Sequence, residues 1–210
     1  MIFLVLRQRV VDLAKRCNDL LWQVASPKSH FWGNVQLTLN DGTVLNGLCG
    51  GKDGMLIPSA SAQSLVQTSA ARVLFVEKHA AFYVLARAMS HQDAHETLLV
   101  TSRGYADQAC VRFLQLLSER MPIYAVCDAD PDGVHIFLTL KFGSRNTTHL
   151  PEQGQVRSLR WLPWYEWAQV AFDLPITTHD HLLALRILAH SDATPQADTR
   201  TTRYAVLHVV

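Results

Sequence analysis

Three carboxylates stand at alternate positions in Asp128-Ala-Asp130-Pro-Asp132-Gly133, directly after the apolar run Ile123-Tyr-Ala-Val-Cys127. A short run of β-branched, aromatic and small apolar residues has the composition of a buried strand. The acids then fall at its carboxyl end, where open α/β sheets bind their ligands. Crowded carboxylates hold one another's pKa up. A divalent cation removes that cost, and hard oxygen donors suit Mg²⁺ or Ca²⁺. Three readings compete. The first half of an EF-hand loop fits Asp128-x-Asp130-x-Asp132-Gly133, but its twelfth position, which needs a bidentate Glu, is Thr139, and a strand leads in where a helix should. A polar strand-to-helix turn would leave the carboxylates solvated or capping the next helix. A catalytic metal centre would need further acids from elsewhere in the chain.

The elements around this stretch can supply them. Val73-Leu-Phe-Val76 reads as a buried strand ending in Glu77-Lys78, and His79 to Met89 suits a helix. Thr97-Leu-Leu-Val100 is a second strand, ending in Thr101-Ser102-Arg103-Gly104. Asp107 to Arg120 is a second helix, with Cys110, Phe113, Leu114 and Leu117 on one face. Ile123 to Cys127 is the third strand and Val134 to Phe142 the third helix. Strictly alternating strands and helices predict an α/β fold with a parallel sheet flanked by helices. Glu77, Gly104 and Asp128 then all lie at carboxyl ends of strands, on one edge.

The flanks are less regular. Arg7 to Val24 has the apolar spacing of an amphipathic helix, ended by Ser26-Pro27. Val35 to Leu39 and Thr43 to Leu45 bracket Asn40-Asp41-Gly42, a hairpin signal. Gly47, Gly50, Gly51 and Gly54 make the next loop, which carries Lys52, either mobile or closely approached. Residues 143–154 read as a loop, Ser158 to Leu162 as a further strand, and Thr178 to His190 as a helix. Trp161, Trp164, Tyr165 and Trp167 favour packing over base stacking. His179, His181 and His190 read as surface or core histidines. Ser191 to Arg203 is polar. The organisation expected is a lead-in over 1–70, a core over 71–145 and an extension over 146–210.

Composition bounds the function. The chain is 49% hydrophobic and 18% charged, so it is globular. Its net charge of +1 requires any nucleic-acid surface to be local. Four cysteines without CxxC spacing argue against a zinc site or a disulfide framework and for a reducing compartment. No run approaches the ~20 apolar residues of a membrane span, and Met1 to Leu6 is too short for a secretion signal.

Taken in order, Val-Leu-Phe-Val-Glu77-Lys78, Leu-Val-Thr-Ser-Arg103-Gly104-Tyr105 and Cys-Asp128-Ala-Asp130-Pro-Asp132-Gly133 resemble the TOPRIM domain. The likeness is to that domain in the topoisomerase VI A subunit, and in its meiotic relative, the transesterase that makes recombination double-strand breaks. Phe113 to Arg120 and Leu140-Lys-Phe-Gly-Ser144 agree, and so, upstream, do Val10-Val-Asp12 and Ala25-Ser-Pro-Lys28. The resemblance implies a Rossmann-like core in which Glu77, Asp128 and Asp130 hold Mg²⁺, with Asp132 as a further carboxylate beside them. It places Lys78 and Arg103 at the same rim, where they can contact phosphate; Lys28 and Lys52 are further DNA-binding candidates, the loop of Lys52 reading as an ordinary surface loop unless DNA passes there. Arg103 stands where the family often has Lys, and Asp132 where relatives commonly carry an aromatic residue or His. In the family a winged-helix domain precedes TOPRIM and bears the nucleophilic tyrosine. Of the five tyrosines here, Tyr83, Tyr105, Tyr124, Tyr165 and Tyr204, none precedes the hairpin, so the nucleophile is expected to be absent. The resemblance further implies DNA as partner, a homodimer and an ATPase B-type subunit for the full-length protein, the latter not expected to bind this chain. It implies the nucleus as location in a eukaryote and the cytoplasm otherwise. A non-catalytic TOPRIM-only module for dimerisation or DNA binding, and a hydrolytic TOPRIM nuclease, remain alternatives.

Overall fold

Side chains alternate strictly across the central strands, and each face finds its own helices. The computed structural model describes residues 27–59, 63–128, 130–143 and 155–162. A six-stranded sheet has the order β4-β1-β7-β6-β8-β9. Its strands are β1 (His30–Trp32), β4 (Met55–Leu56), β6 (Arg72–Val76), β7 (Thr97–Thr101), β8 (Ile123–Val126) and β9 (Leu159–Trp161). The helices are α1 (His79–Ala88), α2 (His91–Glu96), α3 (Gln108–Ser118) and α4 (Pro131–Phe142). The four strands β7, β6, β8 and β9 run parallel. The parallel sheet flanked by helices expected from the sequence is present, and β1, antiparallel to β7, and β4, antiparallel to β1, extend it into a mixed sheet.

Val73, Phe75, Leu98, Val100, Ile123 and Ala125 point to one face, where they pack with Phe113, Leu114 and Leu117 of α3 and Phe137 and Leu140 of α4. Val76, Leu99 and Trp32 point to the other, against Phe82 and Ala86 of α1 and Ala94 of α2. This is the two-residue period of a strand buried on both sides. Truncating a fully buried aromatic such as Phe113 costs about 3–5 kcal/mol.

The predicted hairpin is present as β2 (Val35–Leu39) and β3 (Val44–Asn46), joined in a small antiparallel sheet by β5 (Gln63–Thr68). Leu37 and Val66 of this sheet join the first core cluster. Gln63 Nε2 donates to the Ala109 carbonyl of α3 at 2.9 Å, and Arg120 Nη1 to the Val66 carbonyl at 2.7 Å. The glycine-rich loop is a closely approached one. It holds a 3-10 turn, Gly51–Asp53. A Cβ on Gly54, whose φ is +77°, would meet Phe82 at 2.8 Å and the Phe31 carbonyl at 3.0 Å. Trp161 packs edge-on against Phe137, with centroids 5.1 Å apart. The helices expected at Arg7–Val24 and Thr178–His190, residues Trp164, Tyr165 and Trp167, the three histidines near 180 and the polar stretch 191–203 lie outside the described residues.

Strand order fixes where a ligand can sit. From β6 the chain crosses to β7 on one side, and from β7 it returns past β6 to β8 on the other. Connections leaving β6 and β8 therefore diverge, which opens a crevice between the carboxyl ends of those two strands, the topological switch point of an open sheet.

Candidate metal centre at the β6–β8 crevice

Glu77 follows the last residue of β6 and Asp128 lies two residues beyond β8, so the crevice has a carboxylate on each side. Glu77 is only 7% exposed. Its backbone continues the ladder, donating to the Val126 carbonyl at 3.0 Å. Its carbonyl accepts from the Gly104 N–H at 3.2 Å and from Thr101 Oγ1 at 3.4 Å. Glu77 is thereby fixed by β8 on one side and by the β7 turn on the other. Its side chain reaches across the crevice, where Oε2 accepts the Asp128 N–H at 3.0 Å.

Asp128 directs its carboxylate at Lys78 in a close ion pair. Asp130 is the N-cap of α4, and its Oδ1 accepts the Gly133 N–H at 2.7 Å. Pro131 follows at the first helical position, where its missing N–H costs nothing. A Cβ on Gly133 would lie 2.3 Å from the Asp128 carbonyl oxygen, so only glycine lets the turn close this tightly. Asp132 is exposed in the first turn of α4. The stretch is thus a strand-to-helix turn with a capping carboxylate, and Thr139 lies inside α4, so no EF-hand loop forms.

The electrostatics are those of a site short of positive charge. Burial pushes the Glu77 carboxyl up, and the charges of Asp128 and Asp130 add to this, against the Asp128 N–H and Lys78. Partial burial likewise raises Asp130, with Asp128 and Asp132 contributing, against the Gly133 N–H and Lys78. The bond to Asp128 raises Lys78. Cys127, buried between them, is pushed well up by burial and then by these same carboxylates. It is no nucleophile at neutral pH.

Among the described residues, no three His, Cys, Asp or Glu side chains converge closely enough to hold a metal ion as they stand. The reason is visible in the bonds above: Asp128 faces Lys78, and Asp130 faces its own helix. The donor set nonetheless fits a hard divalent cation, being all carboxylate, half-enclosed and mutually repulsive. Lys78 is 61% exposed. A pair this exposed contributes at most about 1 kcal/mol, so a cation displaces it at small cost.

The family model for the Toprim domain of Spo11 and of the topoisomerase 6 A subunit matches residues 72–177, half of the chain. The chain belongs to this Toprim family. Meiotic recombination protein rec12 of Schizosaccharomyces pombe is 31% identical over 146 residues, 68% of this chain and 39% of that protein. The A subunit of type 2 DNA topoisomerase 6 from Hyperthermus butylicus is 33% identical over 107 residues, 50% of this chain and 27% of that protein. Meiotic recombination protein W68 of Drosophila melanogaster is 29% identical over 142 residues, 66% of this chain and 43% of that protein. The chain spans less than half the length of these relatives.

The other residues singled out in the sequence are spread more widely over this Toprim fold. Arg103 lies on the same rim, in the left-handed region at φ +56°, with Nη2 3.3 Å from His79 Nε2. Lys28 is exposed two residues before His30, which pairs with Thr101, and its N–H donates to Asp107 Oδ2 at 2.9 Å. Lys52 is not brought to the rim. Its ammonium lies 4.1 Å over the Trp32 ring and donates to the carbonyl of Met89, beyond the carboxyl end of α1. Tyr105 bonds His135 Nδ1 at 2.6 Å, and its phenol is pushed up by burial and then by Asp132 and Glu77. None of His79, His30 and His135 stands out in the sequence as a site residue. His79 could have been found, since it follows Lys78 directly in the strand-to-helix turn. The other two depend on tertiary contacts. A cleft of about 620 Å³ lies at the opposite end of the sheet, with Leu74, Leu85, Met89, Tyr124 and Leu162 in its wall. It is mostly apolar, with Arg72 and Asp93 also in its wall. Among the described residues, no helix is long and apolar enough to cross a membrane.

Proposed function

We propose that this chain is the Mg²⁺-binding Toprim part of a topoisomerase VI A-like protein that makes DNA double-strand breaks. The observation that carries the reading is the pair Glu77 and Asp128, set on adjacent parallel strands at the switch point and joined across it at 3.0 Å. Glu77, Asp128 and Asp130 would hold the ion, with Asp132 as a further carboxylate in the same turn. Bound Mg²⁺ supplies charge neutralisation on the oxygens of a phosphodiester. The chain's own part is positional. β6 and β8 hold two carboxylates on adjacent strand ends, α4 anchors the third, and Lys78, now paired with Asp128, would be free to contact a phosphate once a cation took its place. Partners on this reading are DNA, a second copy in the full-length protein and an ATPase B-type subunit engaged by other parts of that protein. In a eukaryote the site of action is the nucleus.

Binding to the folded state alone raises the melting temperature. At about 100 times its Kd, Mg²⁺ adds about 2.7 kcal/mol. For a domain of about 150–250 residues that is a rise on the order of 5–10 °C. Asp128→Asn keeps the backbone donor to Glu77 and removes one ligand charge, and it abolishes most of the rise. An equal Mg²⁺ response in wild type and Asp128→Asn, read by calorimetry, would show that these residues are not the ligands.

A further inference from the structure

The rim has a second corner, of opposite character, on the other side of Lys78. Three side chains from three elements meet there. Arg103 comes from the turn after β7, His79 from the first position of α1, and His30 from β1, whose register sets it against Thr101. Arg103 Nη2 approaches His79 Nε2 at 3.3 Å, and the His30 and His79 rings pack edge to face with centroids 5.5 Å apart. A guanidinium can only donate, so His79 Nε2 is the acceptor and its ring proton sits on Nδ1. Among the described residues that Nδ1–H has no partner, and the ring is stacked on Phe82 at 5.7 Å. His30 is oriented by its own bond, Nδ1 to the Lys28 carbonyl at 3.0 Å.

Among the described residues, neither nearby acid forms an ion pair with Arg103, His79 or His30. Asp107 is already taken by the N–H groups of Lys28 and Cys110, at 2.9 and 2.8 Å. Asp53, the carboxylate acting on His79, is exposed in the 3-10 turn. Arg103 is exposed and adopts a backbone conformation rare for a residue with a side chain, of the kind that clusters at binding sites. α1 begins at His79 without a side-chain cap and with no acid in its first turn, so its positive end adds to the corner. An acidic corner at β6–β8 and a basic one at β1–β7–β6 therefore share one edge. Adjacent strands are about 4.8 Å apart, so the tips of β7 and β8 are separated by roughly 10 Å. Neighbouring phosphates of one strand are further apart than the ~3.4 Å axial rise, because the backbone also winds around the axis, so this distance spans about one or two nucleotides.

We propose that Arg103 and His79, braced by His30, bind a backbone phosphodiester of DNA about one or two nucleotides from the one held at the carboxylates. Arg103 supplies the charge and His79 Nδ1 a neutral donor, while the His30 ring keeps that imidazole turned outward. The inference rests on the reading that this rim faces DNA. It adds a contact made without metal, by residues other than the carboxylates.

The test uses the whole chain in EDTA with a 20-base-pair duplex. In wild-type protein with ¹⁵N-labelled histidine, DNA shifts the His79 and His30 ring resonances and leaves those of His91 and His95 in place. The latter two are exposed on α2, which leads into the amino end of β7 and so lies at the far edge of the sheet. In anisotropy titrations Arg103→Ala lowers the slope of log K against log salt by about 1, as loss of one phosphate contact requires. His79→Gln weakens binding about three- to tenfold with the slope unchanged. Rings of His79 and His30 that do not move, or that move no more than those of His91 and His95, overturn the proposal without involving any variant. Duplex binding with a wild-type slope in Arg103→Ala overturns this contact but leaves DNA as the ligand of the rim. Absence of any duplex binding at low salt overturns both.

Discussion

Glu77 is the residue on which charge, burial and hydrogen bonding act together. Its carboxyl titrates above its ordinary value of 4.5 because it is buried beside two other carboxylates. The folded protein therefore holds that proton more tightly than the unfolded chain. The stability this contributes is full below the unfolded pKa and is lost as pH rises through the folded one. Glu77→Gln keeps the acceptor for the Asp128 N–H and removes the charge. In the absence of divalent cations it should melt higher than wild type at pH 7, by on the order of 2 °C, and the gap should close as pH is lowered to about 4.5. A variant that melts lower at pH 7 would mean that the bond to Asp128 outweighs the burial cost. Glu77, Asp128 and Asp130 stood out in the sequence because an apolar run ending in an acid places that acid at a strand end. His30 did not, because three residues of β1 show no period and their pairing with β7 spans some seventy positions.

At the scale of elements, the turn from β8 into α4 holds the geometry together, and Gly133 is its tightest point. An alanine there pushes into the Asp128 backbone, with contacts of 2.3 Å to O and 2.9 Å to N. Such overpacking costs about 1–3 kcal/mol. Gly133→Ala is expected to lower the melting temperature by several degrees and to weaken the Mg²⁺ response, since Asp128 moves with the turn. Unchanged melting and an unchanged Mg²⁺ response would mean that the turn does not set the site. The three βα units were legible because each strand is an unbroken apolar run and each helix carries an apolar stripe. β5 was not, because Gln63–Thr68 buries only Gln63 and Val66 and so breaks the alternation. α2 has no stripe, burying Ala94 alone, although Ser90 and Asp93 form a capping box that the sequence carries openly. β1 and β4, both within the first seventy residues, complete the main sheet, so the stretch that reads as a lead-in also supplies strands to the core.

For the whole molecule, one edge of one sheet gathers the carboxylates and the cationic corner, while the opposite end is a mostly apolar cleft. Family membership follows from the matched Toprim region, and the proposed metal rests on the chemistry of the rim. Tyrosine chemistry has no support among the described residues. Tyr83 accepts from Arg87 at 2.5 Å, Tyr124 lies within β8, and Tyr105 is bonded to His135, while Tyr165 and Tyr204 lie outside the described residues. Supercoiled plasmid incubated with this chain and Mg²⁺ or Mn²⁺ should therefore yield no protein linked to a 5′ end after denaturation. An adduct lost in Tyr105→Phe would contradict this, and cut DNA without an adduct would favour the hydrolytic alternative. The most direct test of the central claim replaces Mg²⁺ with paramagnetic Mn²⁺ and follows the backbone amide resonances of the apo protein. Broadening should begin at the amides of Glu77, Lys78, Asp128 and Gly133 and vanish in Asp128→Asn. Broadening centred elsewhere, for instance on Asp41 or Asp53, or none at all at millimolar Mn²⁺, would contradict a metal centre at the β6–β8 crevice.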